Sequence, residues 1–293
     1  MTEPMISIVV AVKNGARTLQ RCIDSLRSQT YRHRELIVVD ARSTDGTTEI
    51  LDRNADAIAW RVSESDTGIY QAWNKGLRHV QGDWICFLGA DDYFWDSSAL
   101  EAVAPQLRGA SPGARIVYGQ VALVNSAGHM LAIFGRPWPE MRHAVLAGDA
   151  LNIHQATFHH KSLFGDYSYF DESFQIAGDY EFLLRELPKE NALYIPRLVA
   201  AMEHGGISSN PVTKVETIRE IMRAMAMHGL KPGIDLRVAS ARAVVHAGLY
   251  RVVGPRMSAA IADSYRRLVR KQPLWQGSVG KRVNDRDADE AKR

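Results

Sequence analysis

Short β-branched apolar runs alternate with stretches of helical spacing over the first hundred residues of the chain. Ile6 to Val12 is the first such run and predicts a central strand. Asn14-Gly15 turns the chain, and Leu19, Cys22, Ile23 and Leu26 then recur at helical spacing to about Gln29. Glu35 to Asp40 predicts a second buried strand that ends on an acid. A turn at Ser43-Thr44-Asp45-Gly46 leads into a short helix from Thr47 or Thr48 through Leu51. Ile58 to Val62 predicts a third strand, Ser63 to Gly68 a polar loop, and Ile69 to about His79 a helix. Trp84 to Leu88 is nearly all apolar, as expected of a strand buried on both faces of a parallel sheet. Strand–helix–strand repeated with short connections predicts an α/β fold with a doubly wound, mostly parallel sheet.

Past Asp96 the pattern predicts a helix over Ser98–Leu107, ended by Gly109 and Pro112. A hairpin follows, Arg115–Asn125 with Met130–Phe134, turning at Ser126-Ala127-Gly128. Arg136-Pro137-Trp138-Pro139 reads as a rigid loop and Glu140–Leu146 as a short helix. Asn191–Met202 predicts a last strand. Helices are then expected over Lys214–His228, Leu236–Val253 and Arg256–Lys271. These elements divide the chain into a sheet domain over 1–210, a helical C-terminal appendage over 211–272, and a mixed-charge tail over 273–293 that is expected to be disordered.

Composition narrows the function. At 293 residues, with 46% hydrophobic and 24% charged positions, the chain suits one large globular domain with an appendage. No apolar run reaches the roughly 20 residues a bilayer span needs. The first residues lack a basic segment followed by an apolar core, and Cys22 and Cys86 have no framework spacing. A reducing, cytoplasmic setting is expected. A net charge of +3 is too small to argue for nucleic acid, but the basic excess gathers near the C-terminus. There Met257, Ile261, Tyr265 and Leu268 fall on one helix face, with Arg256, Arg266, Arg267, Arg270 and Lys271 on another. Such a helix suits an anionic membrane surface, and equally a helix packed on the domain or on a second subunit; the pattern does not choose.

The chemistry gathers at strand ends. After Trp84–Leu88, Gly89 and Ala90 remove side-chain bulk and two adjacent carboxylates follow, Asp91 and Asp92. Ligand crevices of open α/β sheets lie beyond the carboxyl ends of the strands, and paired acids there suit a hard divalent cation on a phosphate. The same pair also reads as caps for the next helix. Asp40 and Asp66 flank neighbouring strand ends, so all four acids can converge. No Gly-x-Gly-x-x-Gly follows the first strand and no Gly-x-x-x-x-Gly-Lys-Ser/Thr occurs, which disfavours a dinucleotide dehydrogenase or a P-loop nucleotidase. Asp179 opens a helix in Ala177–Arg185, where the dipole favours its ionised form; it reads as a site carboxylate, an N-cap, or both. Glu181 is the alternative site acid, and Arg185 reads as a local helical pair. His154, His159 and His160 have no second ligating cluster, so they read as polar tips of a strand lining a cleft.

Ile6–Asn14, Val38-Val39-Asp40 with Ser43–Thr47, Ser65–Tyr70 with Asn74-Lys75-Gly76, and Phe87–Asp92 together resemble the GT-A glycosyltransferases of family 2, in the bacterial branch that builds surface polysaccharides. The resemblance is strong over Ile6–Asp96 and echoes weakly to about Ser208. It implies a donor half over about 1–96 and an acceptor half over about 97–210. Donor contacts are then expected from Val12, Asn14, Asp40, Asp66, Asp91 and Asp92. Asp40 would meet the uracil or ribose, Asp66 the base, and Asp92 beside Asp91 the Mn²⁺ or Mg²⁺ on the diphosphate. Lys75 would meet phosphate or remain a solvated helix lysine. His154 and Gln155 would face the acceptor, Asp179 would be the catalytic base, and His204 would lie at the pyrophosphate or metal. The chain departs from the pattern at Ala41-Arg42, where the family often has Gly, and at Gln71, where it often has an acid.

The implied activity is an inverting, metal-dependent transfer from a nucleotide-diphosphate sugar, UDP being the expected nucleotide, to a saccharide or polyprenyl-linked acceptor. The expected place is the cytoplasm, peripheral on the inner membrane, with a homodimer left open. Two alternatives are a nucleotidyltransferase or sugar-nucleotide hydrolase, whose Gly-rich basic loop Val12-Lys13-Asn14-Gly15 matches poorly, and a non-catalytic scaffold.

Overall fold

Four apolar runs form the parallel half of one sheet in the computed structural model, which describes residues 3–110, 113–148, 154–186, 191–204 and 211–268. They are β1 (Ile6–Val12), β2 (Arg34–Asp40), β3 (Trp60–Ser63) and β4 (Trp84–Gly89), side by side in the order β3-β2-β1-β4. All three pairings are parallel, with Ile6 opposite both Arg34 and Trp84, and Asp40 opposite Ser63. The carboxyl ends of β1, β2 and β4 therefore reach the same edge. β1 shows why its run is almost wholly apolar: Ile6, Ile8, Val10 and Val12 pack into one buried cluster while Val9 packs into another on the opposite face. The first cluster is covered by α1 (Leu19–Arg27) through Leu19, Cys22, Ile23 and Leu26. α2 (Thr47–Arg53) follows β2, and α3 (Ile69–Leu77) lies on the second face.

The sheet continues past β4 through β8 (Thr157–His160), β6 (Ile116–Val124) and β9 (Ala192–Glu203) to β5 (Tyr93–Phe94), with β7 (Met130–Phe134) paired to β6. β8 runs antiparallel to β4 and β6, whereas β9 is parallel to β6. The predicted hairpin is β6–β7. α4 (Ala99–Ala110) runs through Gly109 rather than stopping before it, because Leu107 and Ala110 still bury apolar surface. α5 (Trp138–Leu146) starts inside the stretch expected as a rigid loop, since proline is compatible with the first helical turn. His154–Ala156 is a 3₁₀ turn preceding β8 rather than part of a strand. α6 (Ser162–Asp166) and α7 (Gly178–Glu186) complete the second half.

α8 (Pro211–Met227) and α9 (Ile234–Leu268) close the structure. α9 is broken at Gly254, which has φ 78 and ψ 171, so it is two helical arms, as Pro255 leads one to expect. The expected boundary at residue 210 is not a boundary of packing. Ile218, Ile221 and Met225 of α8 join the same buried cluster as Val9, Tyr70 and Phe87, and Leu236 and Ala243 of α9 join it too. No helix among the described residues is long and apolar enough to cross a membrane. The Gly205–Ser208 loop, Arg270, Lys271 and the 273–293 tail lie outside the described residues.

Candidate active site

The strand ends open onto a cavity of about 1120 Å³. Its lining brings together nine of the eleven expected site residues: Val12, Asn14, Asp66, Asp91, Asp92, His154, Gln155, Asp179 and His204. Asp40 and Lys75 lie off the lining. Asp40 is fully buried, and its carboxylate accepts from Ser43 N at 3.2 Å, Ser43 Oγ at 2.5 Å and Ser63 Oγ at 2.5 Å. Lys75 Nζ pairs with Glu64 at 2.9 Å and donates to Ser65 O at 2.9 Å. Both residues hold the loops that reach the cavity.

Those loops are braced against each other. Asn14 sits at φ 52, and its backbone N donates to Ser43 Oγ at 2.7 Å while its Oδ1 accepts from Thr44 N at 2.9 Å. Gly15 N donates to Thr47 Oγ1 at 2.9 Å and Ala16 N to Asp45 Oδ2 at 3.0 Å. The 43–47 turn is thus a clamp on the exit of β1. Arg42 takes φ 56, a left-handed conformation that glycine adopts without steric cost. Gln71 Nε2 donates to Glu172 at 2.9 Å and Gln71 Oε1 accepts from Thr67 N at 3.0 Å, so this position ties the Asp66 loop to the segment that precedes α7.

The acid pair sits where Gly89 makes room for it. A Cβ at Gly89 would lie 2.7 Å from Asp91 Oδ1 and 3.0 Å from Asp92 Oδ2. Asp92 is buried, accepts from Gly89 N at 2.9 Å, and is also hydrogen-bonded by the Gln155 side chain. Burial, then the neighbouring Asp91 charge, holds its carboxyl well above the usual range; burial likewise raises Asp91. Arg21 of α1 donates to Asp91 O at 2.9 Å and to Glu203 at 2.6 Å, and lies 4.4 Å over the Tyr93 ring. Arg17 meets the same Glu203 at 3.3 Å. No group of three metal-ligating side chains assembles among the described residues, so His204 does not close a cage with the acids; it lines the cavity from a turn after β9, its N donating to Val124 O at 2.7 Å.

Asp179 lies in the first turn of α7. Its Oδ1 accepts from Tyr180 N at 2.9 Å and from the Tyr70 hydroxyl at 3.2 Å. Gly178 permits that second bond, since a Cβ there would lie 2.8 Å from the Tyr70 ring. Burial raises the Asp179 carboxyl from 3.8 to about 6, against the lowering effect of the two hydrogen bonds. Glu181 is buried and committed elsewhere, pairing with Arg185 at 2.8 Å and His228 at 3.0 Å. The segment leading to Asp179 hangs on α8: Glu220 accepts from the backbone N–H groups of Gln175, Ile176 and Ala177, each at 2.8 Å.

The histidines disperse. His154 stacks on Trp73 at 4.8 Å, and burial lowers it to about 3, so it is a neutral aromatic wall of the cavity. His159 is buried against Glu186 at 3.3 Å, and His160 meets Trp84 edge-on, so these two are not cleft-lining tips. Tyr70, Arg17, Lys214, Thr217 and His246 also line the cavity and carry no local signal of that role. The last three come from the C-terminal helices, whose return to the site depends on packing alone.

The profile of glycosyl transferase family 2 matches residues 7–161, a little over half of the chain. A relative from Mycobacterium bovis, named PGL/p-HBAD biosynthesis glycosyltransferase, is 30% identical over 220 residues, covering 73% of this chain and 83% of its own. An uncharacterized glycosyltransferase of Mycobacterium tuberculosis is 34% identical over 186 residues, 63% of this chain and 69% of its own. Among solved structures, S. aureus TarS 1–349 in complex with UDP-GlcNAc superposes with a TM-score of 0.60 at 17% identity, over 90% of this chain and 85% of that one. The Pyrobaculum calidifontis mannosyltransferase PcManGT, in complex with GDP-Man and Mn²⁺, gives 0.59 at 19% identity, over 93% and 82%. At those identities the two structures share the fold.

Proposed function

We propose that this chain, which belongs to glycosyl transferase family 2 and is a glycosyltransferase of the GT-A fold, moves a sugar from a nucleotide-diphosphate sugar to a hydroxyl of a saccharide or lipid-linked saccharide, with inversion. The observation that carries this reading is one cavity holding an acid pair at the end of β4 and a carboxylate of raised pKa at the start of α7. UDP and GDP are the first nucleotides to test, being those held by the solved structures of the same fold. Asp66, Val12 and Asn14 receive the nucleoside, while Asp40 works from behind the lining by fixing Ser43 and Ser63.

A divalent cation, Mn²⁺ or Mg²⁺, suits Asp91 and Asp92. They are hard oxygen donors, and the Asp91 charge adds to burial in raising the proton affinity of Asp92. Asp91 and Asp92 would be the side chains that hold the ion, as suits a hard cation that binds through one or two carboxylates. When bound, such a cation neutralises charge on the departing diphosphate. Asp179 in its ionised form takes the proton of the acceptor hydroxyl as that oxygen bonds the anomeric carbon. The bond from that carbon to the diphosphate oxygen breaks on the opposite face, and the nucleotide diphosphate leaves. An α-linked donor then yields a β-linked product. Tyr70 holds the Asp179 carboxylate by its hydroxyl, and His154 and Gln155 flank the space for the acceptor. An acceptor carried on a polyprenyl lipid places this reaction at the cytoplasmic face of a membrane.

The test is calorimetric binding of UDP, GDP and dTDP, each with Mn²⁺ and with EDTA, to wild type and Asp92→Asn. One diphosphate is expected to bind only with metal, and the substitution to weaken it at least about tenfold. Binding indifferent to both metal and Asp92→Asn overturns the acid-site reading. A product whose anomeric proton keeps the donor configuration overturns the inversion.

A further inference from the structure

We propose that the outer face of α9 is a docking surface for an anionic lipid surface. Among the described residues, seven of the ten large hydrophobic side chains that are exposed belong to this one element: Ile234, Val238, Val244, Val245, Val252, Met257 and Ile261. Their order on the helix is the telling feature. Ile234, Val238, Ala241, Val245 and Val252 follow one another at steps of four, three, four and seven residues, which keeps them on a single line along the helix. Val252 is 84% exposed, Ile234 80% and Val245 71%. Leu236, Ala243 and Ala247, on the opposite side, are buried against the domain. The arm before Gly254 is thus already packed on its inner face, and its apolar line points away from the protein over about 30 Å.

Charge decides what covers it. Arg242 lies along one edge of the line and Arg237 and Arg251 along the other, all three exposed. The whole element carries six arginines against two aspartates, Asp235 and Asp263. An apolar line edged by arginines complements a leaflet of anionic headgroups over acyl chains, where each arginine near the surface multiplies affinity about fivefold. A second copy of this chain would bring the same arginines against each other, and like charges across an interface work against association. The inner side of this helix is also a wall of the cavity, through Ala243 and His246. A lipid-docked α9 therefore stands between the membrane and the site proposed for a lipid-linked acceptor. The surface rests on packing and charge, independent of the donor reading, so the two fail separately.

Full-length wild type and the double variant Val245→Glu/Val252→Glu are compared by flotation with two vesicle types. One is pure phosphatidylcholine; the other is equal parts phosphatidylcholine and phosphatidylglycerol. Wild type is expected to float with the anionic vesicles, to release as salt is raised, and to bind the neutral vesicles poorly. The double variant is expected to lose about tenfold or more in partitioning while its circular dichroism and melting temperature stay those of wild type, because both positions face solvent. Arg237→Glu/Arg242→Glu is expected to weaken binding to the anionic vesicles alone. Absence of wild-type flotation overturns the proposal, as does undiminished flotation of the valine variant. A wild-type dimer in sedimentation that the valine variant converts to monomer, without lipid binding, overturns it in favour of a second copy.

Discussion

Asp179→Asn keeps the shape of the side chain and removes its charge. The asparagine Oδ1 still accepts from Tyr180 N and the Tyr70 hydroxyl, so the contacts around it are preserved. The charge, however, is one the folded protein resists. A carboxyl raised from 3.8 to about 6 on folding binds its proton more tightly in the native state than in the unfolded chain. Stability from this group is therefore complete below pH 3.8 and falls as pH climbs through 6, by about 3 kcal/mol at neutral pH and above. The substitution is expected to return roughly that amount at pH 8 and almost nothing at pH 4. Urea midpoints of both proteins at the two pH values measure it. Transfer should collapse in the same variant, because an amide cannot take the acceptor proton. In wild type, the transfer rate should fall below an apparent pKa near 6 as the base becomes protonated. Equal stabilities at pH 8, or an asparagine variant that turns over at wild-type rate, would refute the argument that a charged, partly buried Asp179 is the base.

Tyr70→Phe removes a hydrogen bond that lowers the Asp179 pKa, so the acid limb of the rate profile should move upward from about 6; an unmoved limb with only a raised KM would show that Tyr70 does not act through Asp179. Glu220→Ala leaves three backbone N–H groups without their charged acceptor and is expected to cost about 3–5 kcal/mol in urea unfolding. Glu220→Gln, which keeps one acceptor oxygen, should cost less; a loss under about 1 kcal/mol for the alanine variant would show that water replaces the bonds.

Much of this architecture was legible because its signals are local. The parallel strands β1, β2 and β4 are buried on both faces, and burial on both faces favours the apolar residues that dominate them, with Ser7, Glu35 and Asp40 the buried polar exceptions. The acid pair could be read from the end of β4, because a parallel sheet delivers its strand ends to one edge. Gly254-Pro255 announced the break in α9. The expectations that shifted did so for tertiary reasons. Asp40 reads as a ligand-facing acid until Ser63, from the adjacent parallel strand, is seen to bond it. Lys75 reads as a phosphate contact or a free helix lysine, but Glu64 and Ser65 O take it.

The succession of strands and helices over the first hundred residues, the family motifs and the position of the candidate acids along the chain were determined by the sequence itself, since continuous apolar runs and the 3.6-residue period report which faces of each element are buried. Which surface that face meets is a different quantity. Tyr70 and Asp179 are 109 positions apart, and Glu220 lies more than forty positions after the loop it holds; nothing along the chain marks either pairing. The tertiary structure alone decided that the C-terminal helices reach back to form a wall of the cavity. It also decided that one line of valines on α9 stays outside, because a helix can bury only the side that its neighbours reach.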